Sequence, residues 1–249
     1  MPRTALRLAA ACAALVLPVA GCSVVGSGPE PTGLTSGDEK PPPGTSGLEP
    51  FYEQELEWKE CDEGQCAELE VPMDWDDPDG KTIEIAVNRI TAKGDAAGSL
   101  VVNPGGPGGD AYTYFGTEGS GFDWPQEIRD EWDLVAVQPR GLLHSTPLNC
   151  QSPNPQTPLD VAQLQIESTL SSGRVSRSLC QGQRPGYPET ITTENNARDW
   201  DEVRRALGYD RISIMGLSYG TYLGSVYATM YPQHTDRVVL DSTMDPSLA

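Results

Sequence analysis

The stretch that most restricts how this chain folds is "RISIMGLSYGT", Arg211 to Thr221. Its first half is a short apolar run with isoleucines, the pattern of a strand buried on both faces. The run passes without a spacer into Gly216-Leu217-Ser218-Tyr219-Gly220, and a helix is expected from about Tyr219 to Tyr231, stopped near Pro232. A strand that becomes a helix within one residue needs small residues two before and two after the turn. Gly216 and Gly220 supply them. Such a turn lifts the Ser218 hydroxyl clear of the sheet and aims the next helix N-terminus at whatever reacts there. Ser218 is therefore the candidate nucleophile. An idle serine on a glycine-rich turn is the bland alternative, and the direct strand entry and helix exit argue against it.

The flanking chain fits the same layout. Thr193 to Leu207 carries Ala197, Trp200, Val203 and Leu207 on one helical face, with Thr193 as cap and Gly208 as stop. Thr82 to Ala92 alternates like a half-buried strand. Leu100 to Val102, Asp133 to Gln138 and Arg237 to Ser242 read as buried strands. The acidic run Asp74 to Gly80 fails the calcium-loop spacing and is expected to be a polar turn between strands. Ser145 to Ile191 is rich in Pro and Gln and is expected to be a surface excursion. Buried strands alternating with helices predict an α/β fold with a mostly parallel sheet.

A second candidate element follows the Leu100–Val102 strand: Gly105-Gly106-Pro107-Gly108-Gly109. No Gly-Lys-Ser/Thr accompanies it, so it is not a nucleotide loop. If its strand lies beside the Ser218 strand, the loop sits next to the elbow. Acyl transfer needs two backbone N–H groups facing the developing oxyanion. The expected donors are Tyr219, the residue after the serine, and Gly106, since Pro107 has no N–H. Gly105 and Gly108 shape the loop.

The N-terminus reads as an export signal. Arg3 and Arg7 precede an apolar run, Leu8 to Val19, too short for a membrane span. Val19-Ala20-Gly21-Cys22 resembles a lipobox, which predicts a lipid anchor on Cys22, with a plain secretory signal as the alternative. Residues 23–50 are rich in Gly, Pro, Ser and Thr and suit a flexible tether. The folded domain is expected over residues 51–249. A formal charge of −19 and no basic patch argue against nucleic-acid binding. Of the six cysteines, Cys61, Cys66, Cys150 and Cys180 lie in the exported part. Local pairing predicts Cys61–Cys66 and Cys150–Cys180. The four-residue gap between Cys61 and Cys66, with no second CxxC or His cluster, argues against a metal, and no cofactor is expected.

Four segments in order, "WKECDEGQCAELEVPMDWDDPDGKTIEIAVNRITA", "NPGGPGG", "QPRGLLHSTPLNC" and "ARDWDEVRRALGYDRISIMGLSYGTYLGSVYATMYPQHTDRVVLDSTMDP", together resemble the secreted tripeptidyl aminopeptidase and proline iminopeptidase-like branch of the α/β-hydrolase fold. They span residues 58 to 246. The resemblance implies a serine exopeptidase that releases short peptides or single residues from free N-termini. It puts the nucleophile on Ser218 and the oxyanion loop on Gly105 to Gly108. Asp110, Leu143 and Ser242 depart from the family's usual small residue or glycine.

The acid and base are the open question. The family's order is Ser, then Asp, then His, yet this chain has two histidines, His144 and His234. His234 lies in the polar turn "YPQHTDR" after the elbow helix, at the far end of the sheet. His144 and Asp241, at strand ends on the Ser218 side, are the weak candidates for base and acid. The expectation is a truncated form that is inactive alone, its missing part or a complementing chain supplying the rest. A non-catalytic, peptide-binding surface lipoprotein and an esterase of the same fold are the alternatives.

Overall fold

The computed structural model describes residues 47–61, 64–116, 122–150 and 162–245. The signal, the lipidation candidate Cys22 and most of the linker lie outside the described residues. A four-residue helix, α1 (Glu49–Tyr52), opens the described chain. Three strands follow as an antiparallel meander: β1 (Lys59–Cys61), β2 (Gly64–Pro72) and β3 (Thr82–Ile90). The acidic run between β2 and β3 is a polar turn closed by Met73 N–H donating to the Lys81 carbonyl at 2.8 Å.

The remaining strands alternate with helices. They are β4 (Gly98–Asn103), β5 (Trp132–Val137), β6 (Ile212–Leu217) and β7 (Thr235–Asp241). Between them run α2 (Ala111–Gly116), α3 (Gln126–Glu131), α4 (Ala162–Gln183), α5 (Thr193–Ala206) and α6 (Tyr219–Met230). Across the sheet the strand order is β1-β2-β3-β5-β4-β6-β7. β5, β4, β6 and β7 are mutually parallel, and β3 joins β5 antiparallel.

Side chains of the central strands divide the core into two layers, because alternate residues of a strand face opposite ways. Val101, Val135, Val137, Ile212 and Ile214 pack with Trp200, Val203, Leu223 and Tyr227, the apolar faces of α5 and α6. Leu100, Val102, Leu134 and Ala136 pack on the other side with Ala111 and Phe115 of α2. All six residues of β4 are buried. A strand covered on both faces has no polar side to show, and this is why its centre, Leu100 to Val102, reads as a short apolar run.

Three local expectations change. The side chain capping α5 is Thr192, whose Oγ1 accepts from Asn195 N–H at 3.1 Å; Thr193 is already the first helical residue. The second half of the expected excursion is the 22-residue helix α4. Its prolines lie outside the helix, at 147, 153, 155 and 158 before it and at 185 and 188 after it, so nothing interrupts 162–183. Finally, β7 is not buried: Val238 and Val239 are exposed, and among the described residues β7 pairs with β6 alone.

Candidate active site

The parallel register sets the site. Asn103, the last residue of β4, lies opposite Gly216 of β6, so both strands end level and their exit loops meet. Ser218 stands at the turn with φ 52° and ψ −120°, a backbone region that side-chain-bearing residues seldom occupy. Its N–H donates to the Asp241 carbonyl of β7 at 3.0 Å, and its carbonyl accepts from Thr221 N–H at 2.9 Å. The residue is exposed, with α6 beginning at Tyr219.

The glycines are required by contact. A Cβ on Gly216 would overlap the Gly220 carbonyl, and one on Gly220 would overlap the Asn103 carbonyl. Gly105, at φ +93°, presses its backbone against Leu217 and Tyr219, and a Cβ there would come within 2.9 Å of Tyr219 N. The loop is braced internally: Gly105 N–H donates to Asn103 Oδ1 at 2.9 Å and Gly109 N–H to the Gly105 carbonyl at 2.9 Å. Among the described residues, these bonds occupy the Gly105 and Gly109 amides, while the exposed Gly106 amide donates to none of them. The structure thus brings Ser218, Tyr219 and Gly105 together, with Gly106 next in the loop.

A cleft of about 640 Å³ opens beside the elbow. Gly105, Pro107 and Gly108 form one wall and Tyr219, Tyr222 and Leu223 of α6 another. Leu142, Ile191 and Met244 add apolar surface. Burial is the main cause that raises the Tyr219 phenol, opposed by a hydrogen bond with Thr193 and reinforced by Tyr222 and Glu194. The Thr193 Oγ1 to Tyr219 hydroxyl distance is 2.7 Å, which ties α5 to α6 across the cleft.

The floor contains a group the sequence reading passed over. Arg140, in the "QPRG" after β5, has a side chain with no exposure, and Asp199 of α5 meets it in a fork. Nε donates to Oδ2 at 2.8 Å and Nη2 to Oδ1 at 2.6 Å. The remaining guanidinium hydrogens reach the carbonyls of Met73, Thr190 and Pro72 at 2.8, 3.3 and 3.4 Å. Trp75 Nε1 donates to the same Asp199 at 2.9 Å. Burial works against the Arg140 charge, but the Asp199 carboxylate outweighs it and holds the guanidinium above its ordinary pKa. One ion pair thus joins the β2–β3 turn, the β5 exit loop and α5 under the cleft. An arginine among apolar residues at a strand end was the available signal.

Neither histidine stands in this cleft. His144, at φ 76°, stacks on Tyr112 with ring centroids 4.3 Å apart and lines a separate cavity of about 350 Å³ with Glu55, Glu57 and Cys66. His234 Nδ1 lies 2.7 Å from Asp201 Oδ1, and that oxygen also accepts from Arg204 at 2.9 Å and Tyr227 at 3.0 Å. Burial pushes the Asp201 carboxyl up, yet the hydrogen bonds from His234 and Arg204 leave it below the usual carboxylate range. Asp241 ends β7 beside the elbow; its carboxylate accepts from the Ser242 hydroxyl at 3.1 Å. Both local disulfides are closed, Cys61–Cys66 and Cys150–Cys180, with Cα separations of 5.9 and 4.8 Å. The second lies beside Gln183, which fastens α4 to Asn149 through two hydrogen bonds.

A doubly covered parallel sheet with a strand–serine–helix elbow places the chain in a broad class, and the alpha/beta hydrolase fold matches residues 98–249. The chain belongs to that family. Among its relatives, tripeptidyl aminopeptidase of Streptomyces lividans is 34% identical over 219 residues, covering 77% of this chain and 39% of the relative. Serine protease Hip1 of Mycobacterium tuberculosis is 34% identical over 225 residues, covering 80% and 41%. Carboxylesterase B of the same species is 33% identical over 237 residues, covering 87% and 45%. The chain therefore spans less than half the length of each of these relatives.

Proposed function

We propose that this chain carries the nucleophile and oxyanion half of an exported serine hydrolase acting on peptides with free N-termini. Ser218 Oγ attacks the carbonyl carbon and forms the acyl-enzyme as the amine departs. The oxyanion is held by the N–H groups of Tyr219 and Gly106. The observation that carries the reading is the elbow itself: an exposed serine at φ 52° with the Gly105 backbone packed on the next residue. Strain of this kind, held in place by two strands and a glycine loop, marks a reacting position. The relatives named for peptidase activity favour peptides as substrates. Carboxylesterase B favours the second reading, an ester substrate on the same elbow.

The proton acceptor for Ser218 comes from outside these 249 residues. Support for this is the placement of both histidines, one stacked on Tyr112 and the other bound to Asp201. Two disulfides suit an oxidising compartment, and we place the protein outside the cytosol, tethered through a lipid on Cys22.

Two measurements test this. A fluorophosphonate, with imidazole added in solution as the base that takes the serine proton while fluoride departs, should label Ser218 ahead of every other serine, located by peptide mass spectrometry. Equal labelling of surface serines would remove the nucleophile assignment. With alanyl and prolyl chromogenic substrates the purified chain should turn over no faster than Ser218→Ala. Clear turnover that Ser218→Ala abolishes would instead place the base within this chain.

A further inference from the structure

The cleft beside the elbow is mostly apolar, and two of its lining side chains carry charge: Arg140 and Glu194. The Arg140 charge is already balanced by the fork to Asp199. Among the described residues no cation is paired with Glu194. The net charge facing the cleft is therefore one carboxylate, exposed at the start of α5.

Its neighbours are aromatic. Tyr219 and Tyr222 line the same cleft with ring centroids 6.0 Å apart. The adjacent Thr193 hydroxyl is 2.7 Å from the Tyr219 hydroxyl, which holds the first turn of α5 against these rings. The carboxylate is close enough to act on the tyrosine electrostatically: after burial, and with Tyr222, it is among the groups that raise the Tyr219 phenol. A carboxylate beside two aromatic rings in an otherwise apolar cleft is the chemistry that recognises an alkylammonium, by charge and by the ring quadrupole.

We propose that Glu194, with Tyr219 and Tyr222, forms an ammonium-recognition subsite, and that the cleft takes peptides whose cationic amine sits there. This rests on reading the cleft as a peptide site. Glu194 is a specificity-determining residue and takes no part in bond making. Its other role, favourable charge at the α5 N-terminus, predicts a small change in stability and none in ligand choice.

The test compares two probes by calorimetry or chemical-shift titration on the full chain: Ala-Ala-Ala amide, with a free amine, and its N-acetylated form. The wild-type chain should bind the free amine about fivefold more tightly, the scale of a partly exposed ion pair. That preference should fall to near unity in Glu194→Gln, whose melting curve confirms folding, and in the wild type at 1 M salt. Equal binding of both probes by the wild type, or a preference that survives Glu194→Gln, overturns the subsite and leaves the peptide cleft standing. Binding of neither probe overturns both.

Discussion

Replacing Asp199 by Asn tests how the cleft floor is held. The change keeps the shape of the side chain and removes one charge. In the native protein Arg140 sits at zero side-chain exposure and Asp199 at 2%, with two short charge-assisted hydrogen bonds between them. Asparagine has one oxygen and so restores at most one of these bonds; its amide turns a donor toward the second guanidinium nitrogen. The remaining partners of Arg140 are carbonyls, which bear no net charge. An uncompensated buried cation of this kind costs about 3–5 kcal/mol. A domain of this size holds about 5–15 kcal/mol in total, so about a fifth or more of the stability is at stake. With a urea m-value of about 2 kcal/mol/M, the midpoint should fall by about 2 M at unchanged m. Arg140→Met with Asp199→Leu should cost less than Asp199→Asn alone, since it removes both charges together. A midpoint shift under about 0.5 M for Asp199→Asn would refute the argument and mean that water reaches the pair.

Other consequences are smaller or narrower. Ser218→Gly should raise the unfolding free energy by about 1–2 kcal/mol in urea titrations, because glycine adopts φ 52° without strain; a loss of stability would count against a strained elbow. Gly216→Ala should lower it by at least about 2 kcal/mol, since the new Cβ meets the Gly220 carbonyl and neither strand nor helix has room to shift. Burial lifts the Glu202 carboxyl to about 8 from 4.5, with Arg205 only 3.8 Å away. The fold therefore keeps a proton that the unfolded chain releases, so stability should decline by up to ~1.4 kcal/mol per pH unit between about pH 4.5 and 8 and level off above. Glu202→Gln should remove that decline in urea midpoints measured from pH 5 to 9; an unchanged slope would put the effect elsewhere.

Much of this protein is legible before folding. The elbow is local in sequence, so Gly216, Ser218 and Gly220 declare it without help from the rest of the chain. The central strands declare themselves because burial on both faces forces an apolar run. Disulfide pairing over short separations is equally local. The structure decided what depends on contacts between distant segments. It set β4 beside β6, which turned two separate glycine motifs into one site. It brought Arg140 to Asp199 across 59 positions and Glu194 to the tyrosines of α6. It drew His144 away onto Tyr112 and left β7 exposed. A chain specifies a turn by the sizes and torsions of adjacent residues. A charge's partner and a strand's burial depend on which elements come to lie against it, and only the packed sheet settles that.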